Sequence, residues 1–347
     1  MRDAARCETP EAPKVNWDAH KLGPKSSLSV VWVGHSLIEH KVESSWGRVD
    51  LMSLVGKFAQ SRGLTYAMRD HTLWGSPMSA LWRGRPHGFI RDASEMVAKR
   101  EDLERTAGRY DTIVLTEGVP VSKALKVEFS AYYLRRFYCT MLKANPATRV
   151  YLYEAWISYQ DYPETKKLRP DFDWRTQIKK ERESWDALAD AARQPEVEAP
   201  HWLSRFGWRS VSDGGCMNED PIYTVPVGST WLALDARLSS PKPGDHFVWP
   251  DGTPFKMTDL VENPLVEAAD GTLALRDPEK PLDDIHATFV GIYLAGLVNF
   301  ATLYRQTPVG LPVPSELGDG LAGTLQCIAW ETVRSDPRSG VKGEPEC

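Results

Sequence analysis

Apolar residues along this chain group into two recurring patterns. Leu28-Ser29-Val30-Val31-Trp32-Val33 is a short, nearly continuous apolar run that ends at Gly34-His35-Ser36-Leu37, as expected of a strand buried on both faces. From Ser45 to Ser61 the spacing becomes helical, with Val49, Leu51, Met52, Leu54, Val55 and Phe58 on one side and Gly63 as the stop. Leu64 to Met68 predicts a second strand and Ala93 to Thr106 a charged helix, with a Gly-, Trp- and Arg-bearing loop over Asp70 to Gly88. Tyr110 to Leu115, a helix over Phe129 to Lys143 and Arg149 to Tyr153 repeat the unit. Ile222 to Val227 reads as the last core strand, opening at Gly228 into a short helix, and Phe289 to Leu303 as a buried helix. Strands alternating with helices predict a parallel sheet covered on both faces. With right-handed crossovers this is a doubly wound, three-layer α/β/α sandwich.

Three stretches break the rhythm: about 158–175, 195–220 and 239–282, the last with a small hairpin at Asp251-Gly252 and the makings of a lid. They read as insertions in one α/β domain over 28–310. An extended polar arm precedes it (1–27), and a helix and tail follow (311–347), with disorder expected after Arg334.

Composition changes this picture little. The chain has 347 residues, 42% hydrophobic and 26% charged, enough for a large core. A net charge of −5 argues against nucleic acid as a partner, and no apolar run is long enough to span a bilayer. The five cysteines, Cys7, Cys139, Cys216, Cys327 and Cys347, make no metal-ligand spacing, leave at least one unpaired and do not reveal their pairing. No signal segment is visible. A periplasmic or secreted protein with its signal removed is the expectation, with a cytoplasmic one as alternative. Oligomeric state is left open.

The chemistry sits near the two ends of this frame. Ser36 lies on a sharp turn at the carboxyl end of the first strand, where ligands gather in parallel sheets and where backbone amides can face an oxyanion. Asp283-Asp284-Ile285-His286 runs directly into the apolar helix. At a helix start, Asp283 and His286 would share one side of the backbone, the carboxylate holding one imidazole nitrogen and leaving the other for a serine proton. Asp284 is a rival for the acid role, and either aspartate could instead cap the helix.

The order and placement of Gly34-His35-Ser36-Leu37 and Asp283-x-x-His286 resemble the SGNH (GDSL-like) hydrolase family, over a frame from Leu28 to about Tyr304, with GHSL in place of GDSL. The resemblance implies the flavodoxin-like fold of that family, Ser36 as nucleophile, His286 as general base, Asp283 as its orienting acid, an acyl-enzyme and no cofactor or metal. It also implies oxyanion donors from the serine amide, a glycine after the second strand and an asparagine after the third. Gly75 fits the glycine, but Thr116-Glu117-Gly118 stands where the asparagine is expected. Gly118 offers an amide, and Glu117 would bind a substrate hydroxyl or His35, or sit solvated at the strand end. His35, where the family carries an acidic residue, would bond Glu117 or substrate, or pack under the turn.

Trp74 and Trp156 follow the second and fourth strands, where aromatic faces suit sugar rings, with Arg83, Arg85 and Glu154 near for hydroxyls or carboxylates. Packing is the alternative for either tryptophan. No broad apolar loop announces a lipid groove. The expected function is a serine esterase that removes short acyl groups from a small-molecule or polysaccharide ester. The competing readings are an O-acyltransferase with the same site, a non-catalytic carbohydrate-binding protein, and a metal hydrolase built on His35, His71, Asp283 and His286, which lacks a compact motif.

Overall fold

The β-branched run Val30-Val31-Trp32-Val33 forms the middle of strand β1 (Ser27–Gly34), every one of these side chains buried. Around it stand β2 (Thr65–Thr72), β3 (Thr112–Leu115), β4 (Arg149–Tyr153) and β5 (Tyr223–Val225), all parallel, in the order β2-β1-β3-β4-β5. The structure, a computed structural model, describes residues 15–85, 92–158, 172–194, 196–199, 210–212, 216, 220–267 and 272–347. No helix among them is long and apolar enough to cross a membrane.

Helices cover both faces. After the short α1 (Ser36–Glu39), α2 (Leu51–Ser61) begins at an Asp50/Ser53 capping box. The chain then builds α3 (Met78–Arg83), α4 (Glu95–Thr106), α5 (Val121–Val127), α6 (Ser130–Ala144), α7 (Trp174–Ala192) and α8 (Val227–Ser239). Next come α9 (Phe289–Tyr304), in which every residue is buried, and α10 (Gly318–Ser335). Helix α9 lies between α2 and α10 on one face, and α3, α4, α6 and α7 pack on the other. This is the three-layer α/β/α sandwich that the alternation predicts, consistent with the flavodoxin-like fold that the resemblance implies.

Several local readings need correction. Strand β2 runs on to Thr72 because all eight of its residues pair with β1, and as the sheet's edge it tolerates Arg69 and Asp70. Helix α3 occupies part of the stretch expected to be loop. The segment after Arg334 is ordered: Val341 bridges Leu22, Trp330 Nε1 donates to the Glu344 carbonyl at 3.0 Å, and Cys327 is disulfide-bonded to Cys347. A second disulfide joins Cys139 to Cys216. Most of 158–175 and 195–220 lies outside the described residues, as does Cys7. Within 239–282, the amide of Trp249 donates to the Thr253 carbonyl at 2.8 Å, closing the hairpin at Asp251-Gly252. That stretch then supplies a 3₁₀ turn (Met257–Leu260) and strand β6 (Val261–Asn263), which pairs antiparallel with β7 (Asp283–Ala287). The described part thus scaffolds the chain's Asp-x-x-His segment.

Candidate active site

Ser36 is delivered by the turn that ends β1. Gly34 fits closely there: a Cβ would come within 2.7 Å of both the Ile38 and Thr116 side chains, which would have to shift for α1 to fold back over the end of β1. His35 caps α1, accepting the Leu37 amide at Nδ1 (3.5 Å), while its Nε2 donates to the Glu117 carbonyl at 2.9 Å. Of the roles open to His35, two are observed together: it packs under the turn and bonds Glu117, through the backbone carbonyl. The ring is buried, and burial holds its pKa below the ordinary histidine value.

Asp283 and His286 arrive on β7, not on a helix. Helix α9 starts at Phe289 with Thr288 as its N-cap residue, so neither aspartate caps it. The β7–β6 register shifts between Asp283, opposite Asn263, and Ala287, opposite Val261. The resulting bulge turns His286 toward the β1 turn. Its Nδ1 donates to Asp283 at 2.8 Å (Oδ2) and 3.1 Å (Oδ1), and its Nε2 accepts from Ser36 Oγ at 2.9 Å. Asp283 Oδ1 also accepts the His286 amide at 3.0 Å. The carboxylate on the imidazole is thus that of Asp283 rather than Asp284. Burial raises the Asp283 pKa, but the hydrogen bonds from His286 outweigh it and the net displacement is downward. A carboxylate fixed on Nδ1 keeps the proton there and leaves Nε2 free to take one from the serine.

Gly75 lies in the turn after β2, which is drawn to the end of β1 by the Leu73 amide donating to the Gly34 carbonyl at 3.0 Å. Among the described residues, no protein acceptor takes the Ser36 or Gly75 amide. Both remain able to serve an oxyanion. The Gly118 amide does not: it donates to Oε1 of Glu117 at 2.7 Å, and the same oxygen accepts the Met78 amide at 3.2 Å. Glu117 is neither solvated nor bonded to His35 through its carboxyl. It is 0% exposed. Burial pushes its pKa up to about 7.

The aromatic pair divides. Trp74 is 45% exposed and stacks on His286, ring centroids 4.6 Å apart. Trp156 is buried, stacks on Trp231 at 4.4 Å, and donates from Nε1 to the Ile285 carbonyl at 2.7 Å. It supports β7 from within and offers no face to a substrate. Glu154 is likewise internal, bonded to Arg182 (3.0 Å) and Ser229 (2.9 Å), with burial pushing its pKa up to about 7. Arg83 Nε donates to the Ser79 carbonyl at 3.3 Å, and Arg85 is exposed. His71 is buried against the Leu81 carbonyl. Among the described residues, no three His, Cys, Asp or Glu side chains converge as metal ligands.

Two site residues escaped the sequence reading. His40 lies 5.1 Å from the His286 ring, and its position four residues after Ser36, at the C-cap of α1, was the available signal. Asn263 donates from Nδ2 to the carbonyls of Asp277, Lys280 and Pro281, fastening the loop before Asp283. No local pattern marks it. A groove of about 570 Å³ opens beside the site, lined by His40, Glu262, Asn263, Asp283 and Phe289 among others, with Lys41 and Lys280 at its walls.

No family model matches the chain, and no curated protein does. Among solved structures, a DUF4886 family protein from Bacteroides uniformis is similar over 89% of this chain and 95% of its own, at 13% identity and a TM-score of 0.50, a likeness of fold. The periplasmic domain of a lipopolysaccharide acetyltransferase from Salmonella ser. Paratyphi A is similar over 47% of this chain and 65% of that domain, at 11% identity and a TM-score of 0.29.

Proposed function

We propose that this protein is a serine esterase of SGNH type that removes short acyl groups from a carbohydrate or other polar scaffold. The observation that carries the reading is the unbroken line Asp283–His286–Ser36, with 2.8 Å and 2.9 Å between successive polar atoms, at the carboxyl end of a parallel sheet. Ser36 Oγ attacks the ester carbonyl as its proton passes to His286 Nε2, and the Ser36 and Gly75 amides receive the oxyanion. Collapse expels the alcohol, protonated by His286, and leaves acyl-Ser36. Water then gives His286 a proton as it attacks the acyl carbonyl, and the carboxylic acid departs as His286 returns that proton to Ser36 Oγ.

The charged side chains Lys41, Glu43, Glu262 and Lys280 around the groove beside Asp283, and the exposed Trp74, support a hydroxyl-rich alcohol over a lipid. The same groove could seat an acceptor alcohol in place of water, which would make the reaction a transfer. Acylated sugar formed when sugars are added to the assay is the sign of that outcome. Two disulfides support an oxidising compartment, periplasmic or extracellular.

The test is hydrolysis of p-nitrophenyl acetate and longer esters by wild type and Ser36→Ala, with a serine-reactive phosphonate as covalent probe. Wild type is expected to turn over and label at Ser36, and Ser36→Ala to do neither while keeping its fold. A folded wild type that is silent in both assays, or a Ser36→Ala that retains the rate, would overturn the reading.

A further inference from the structure

Trp74 lies in an unusual position for an exposed aromatic side chain. One face rests on the His286 imidazole, with planes 29° from parallel. His40 packs edge-on against the indole, ring centroids 5.6 Å apart, and also approaches the His286 ring. His40 is itself held on Glu262 Oε1 at 3.4 Å through its Nε2. Glu262 belongs to β6, the strand that carries β7, and Trp74 adjoins Gly75. The general base is therefore fixed from two directions: Asp283 and Ser36 hold its nitrogens in line, and Trp74 and His40 hold its plane.

We propose that Trp74 is a positioning residue for the His286 base, with His40 as its buttress, rather than a platform reserved for substrate. The inference rests on the esterase reading of the site. Two physical effects are involved. The stack blocks rotations of the imidazole that would carry Nε2 away from Ser36 Oγ. The electron-rich indole face also favours the cationic imidazolium formed as Ser36 gives up its proton, a state reached only during turnover. Because the stack uses one indole face, only the other is open to a sugar ring.

p-Nitrophenyl acetate separates these roles, since its small acyl group and expelled phenol make no sugar contact. For Trp74→Leu, kcat on this ester and the rate of phosphonate labelling are expected to fall about tenfold, with KM little changed. Trp74→Phe, which keeps a stacking ring, should recover most of the loss. His40→Ala is expected to fall between the two. Trp74 is half exposed in a turn, so these variants should fold. Unchanged kcat and labelling in Trp74→Leu, with KM raised only for sugar esters, would overturn the proposal and leave Trp74 as a substrate platform. NMR of the His286 ring protons provides a readout independent of activity. Ring-current displacement present in wild type and in Ser36→Ala, and lost with increased ring mobility in Trp74→Leu, supports the positioning role even if no ester is hydrolysed. Identical His286 resonances in wild type and Trp74→Leu refute it. Absence of wild-type turnover and labelling would count against the esterase reading instead.

Discussion

At the scale of residues, two carboxyls near the site are tuned in opposite directions. Asp283 is held below its ordinary range by His286, so it remains charged wherever the enzyme would work. Asp283→Asn keeps the shape but can stabilise the wrong imidazole tautomer, and its turnover is expected to fall roughly 10²–10⁴-fold. Asp284→Asn should leave most of the rate. Comparable loss in Asp284→Asn alone, measured on the same ester, would move the orienting role by one position. Glu117 goes the other way, pushed by burial from 4.5 up to about 7. Between these values the folded protein keeps a proton that the unfolded chain releases. The stability this group contributes is therefore full below pH 4.5 and is lost as pH rises through about 7. Glu154, also buried and pushed to about 7, adds a second such slope. Glu117→Gln removes one of the two, so its unfolding free energy should fall less steeply than wild type's between pH 4.5 and about 7, by a difference of up to about 1.4 kcal/mol per pH unit at the steepest. Parallel curves for the two proteins would refute this account. Ser36, Asp283 and His286 were legible as a set because each half of the motif is local in sequence. The inward turn of Glu117 was not, since it depends on amides at Met78 and Gly118 that only the fold brings to it.

At the scale of elements, the Asp-x-x-His segment works because β7 is a bulged strand. Its hydrophobic sequel, Phe289 onward, makes the segment look like the first turn of a helix, and nothing local distinguishes the two. The deciding partner is β6, which comes from an insertion about twenty residues upstream in the chain. Within the bulge, the Ile285 carbonyl is taken by the Trp156 indole at 2.7 Å. This tryptophan is internal because Trp231, on α8, stacks flat against it, a pairing between residues 75 positions apart that spacing could not forecast. Trp156→Phe keeps a ring against Trp231 but leaves the carbonyl unpaired, at a cost of about 1–3 kcal/mol. With β7 loosened, kcat is expected to drop several-fold while KM stays near wild type, alongside a lower melting temperature. A variant that melts lower with kcat intact would reduce Trp156 to a packing role.

At the scale of the whole molecule, the α/β/α sandwich was legible because strands buried on both faces must be apolar throughout, and short runs such as 28–33 and 112–115 fit a central strand far better than a helix or a loop. The ends of the chain were not legible in this way. The segment after Arg334 is polar and helix-poor, features that predict disorder, yet it is fastened by contacts distant in sequence. The Leu22 amide donates to the Gly340 carbonyl at 2.7 Å, and the Tyr223 hydroxyl to the His20 carbonyl at 3.2 Å. The Cys327–Cys347 disulfide then closes a loop of separation 20 over the outer face of α10. This clasp lies against the β5 side of the sheet, whereas Ser36, His286 and Trp74 stand at the β1–β2 end. Stability and catalysis should therefore separate. The double variant Cys327→Ser/Cys347→Ser is expected to lose about 3 kcal/mol, since the unfolded chain is no longer constrained. Its ester hydrolysis at room temperature should match wild type. Equal unfolding midpoints in denaturant for the two proteins would show that the clasp contributes nothing, and a parallel loss of turnover would show that the C-terminal segment reaches the site through the sheet.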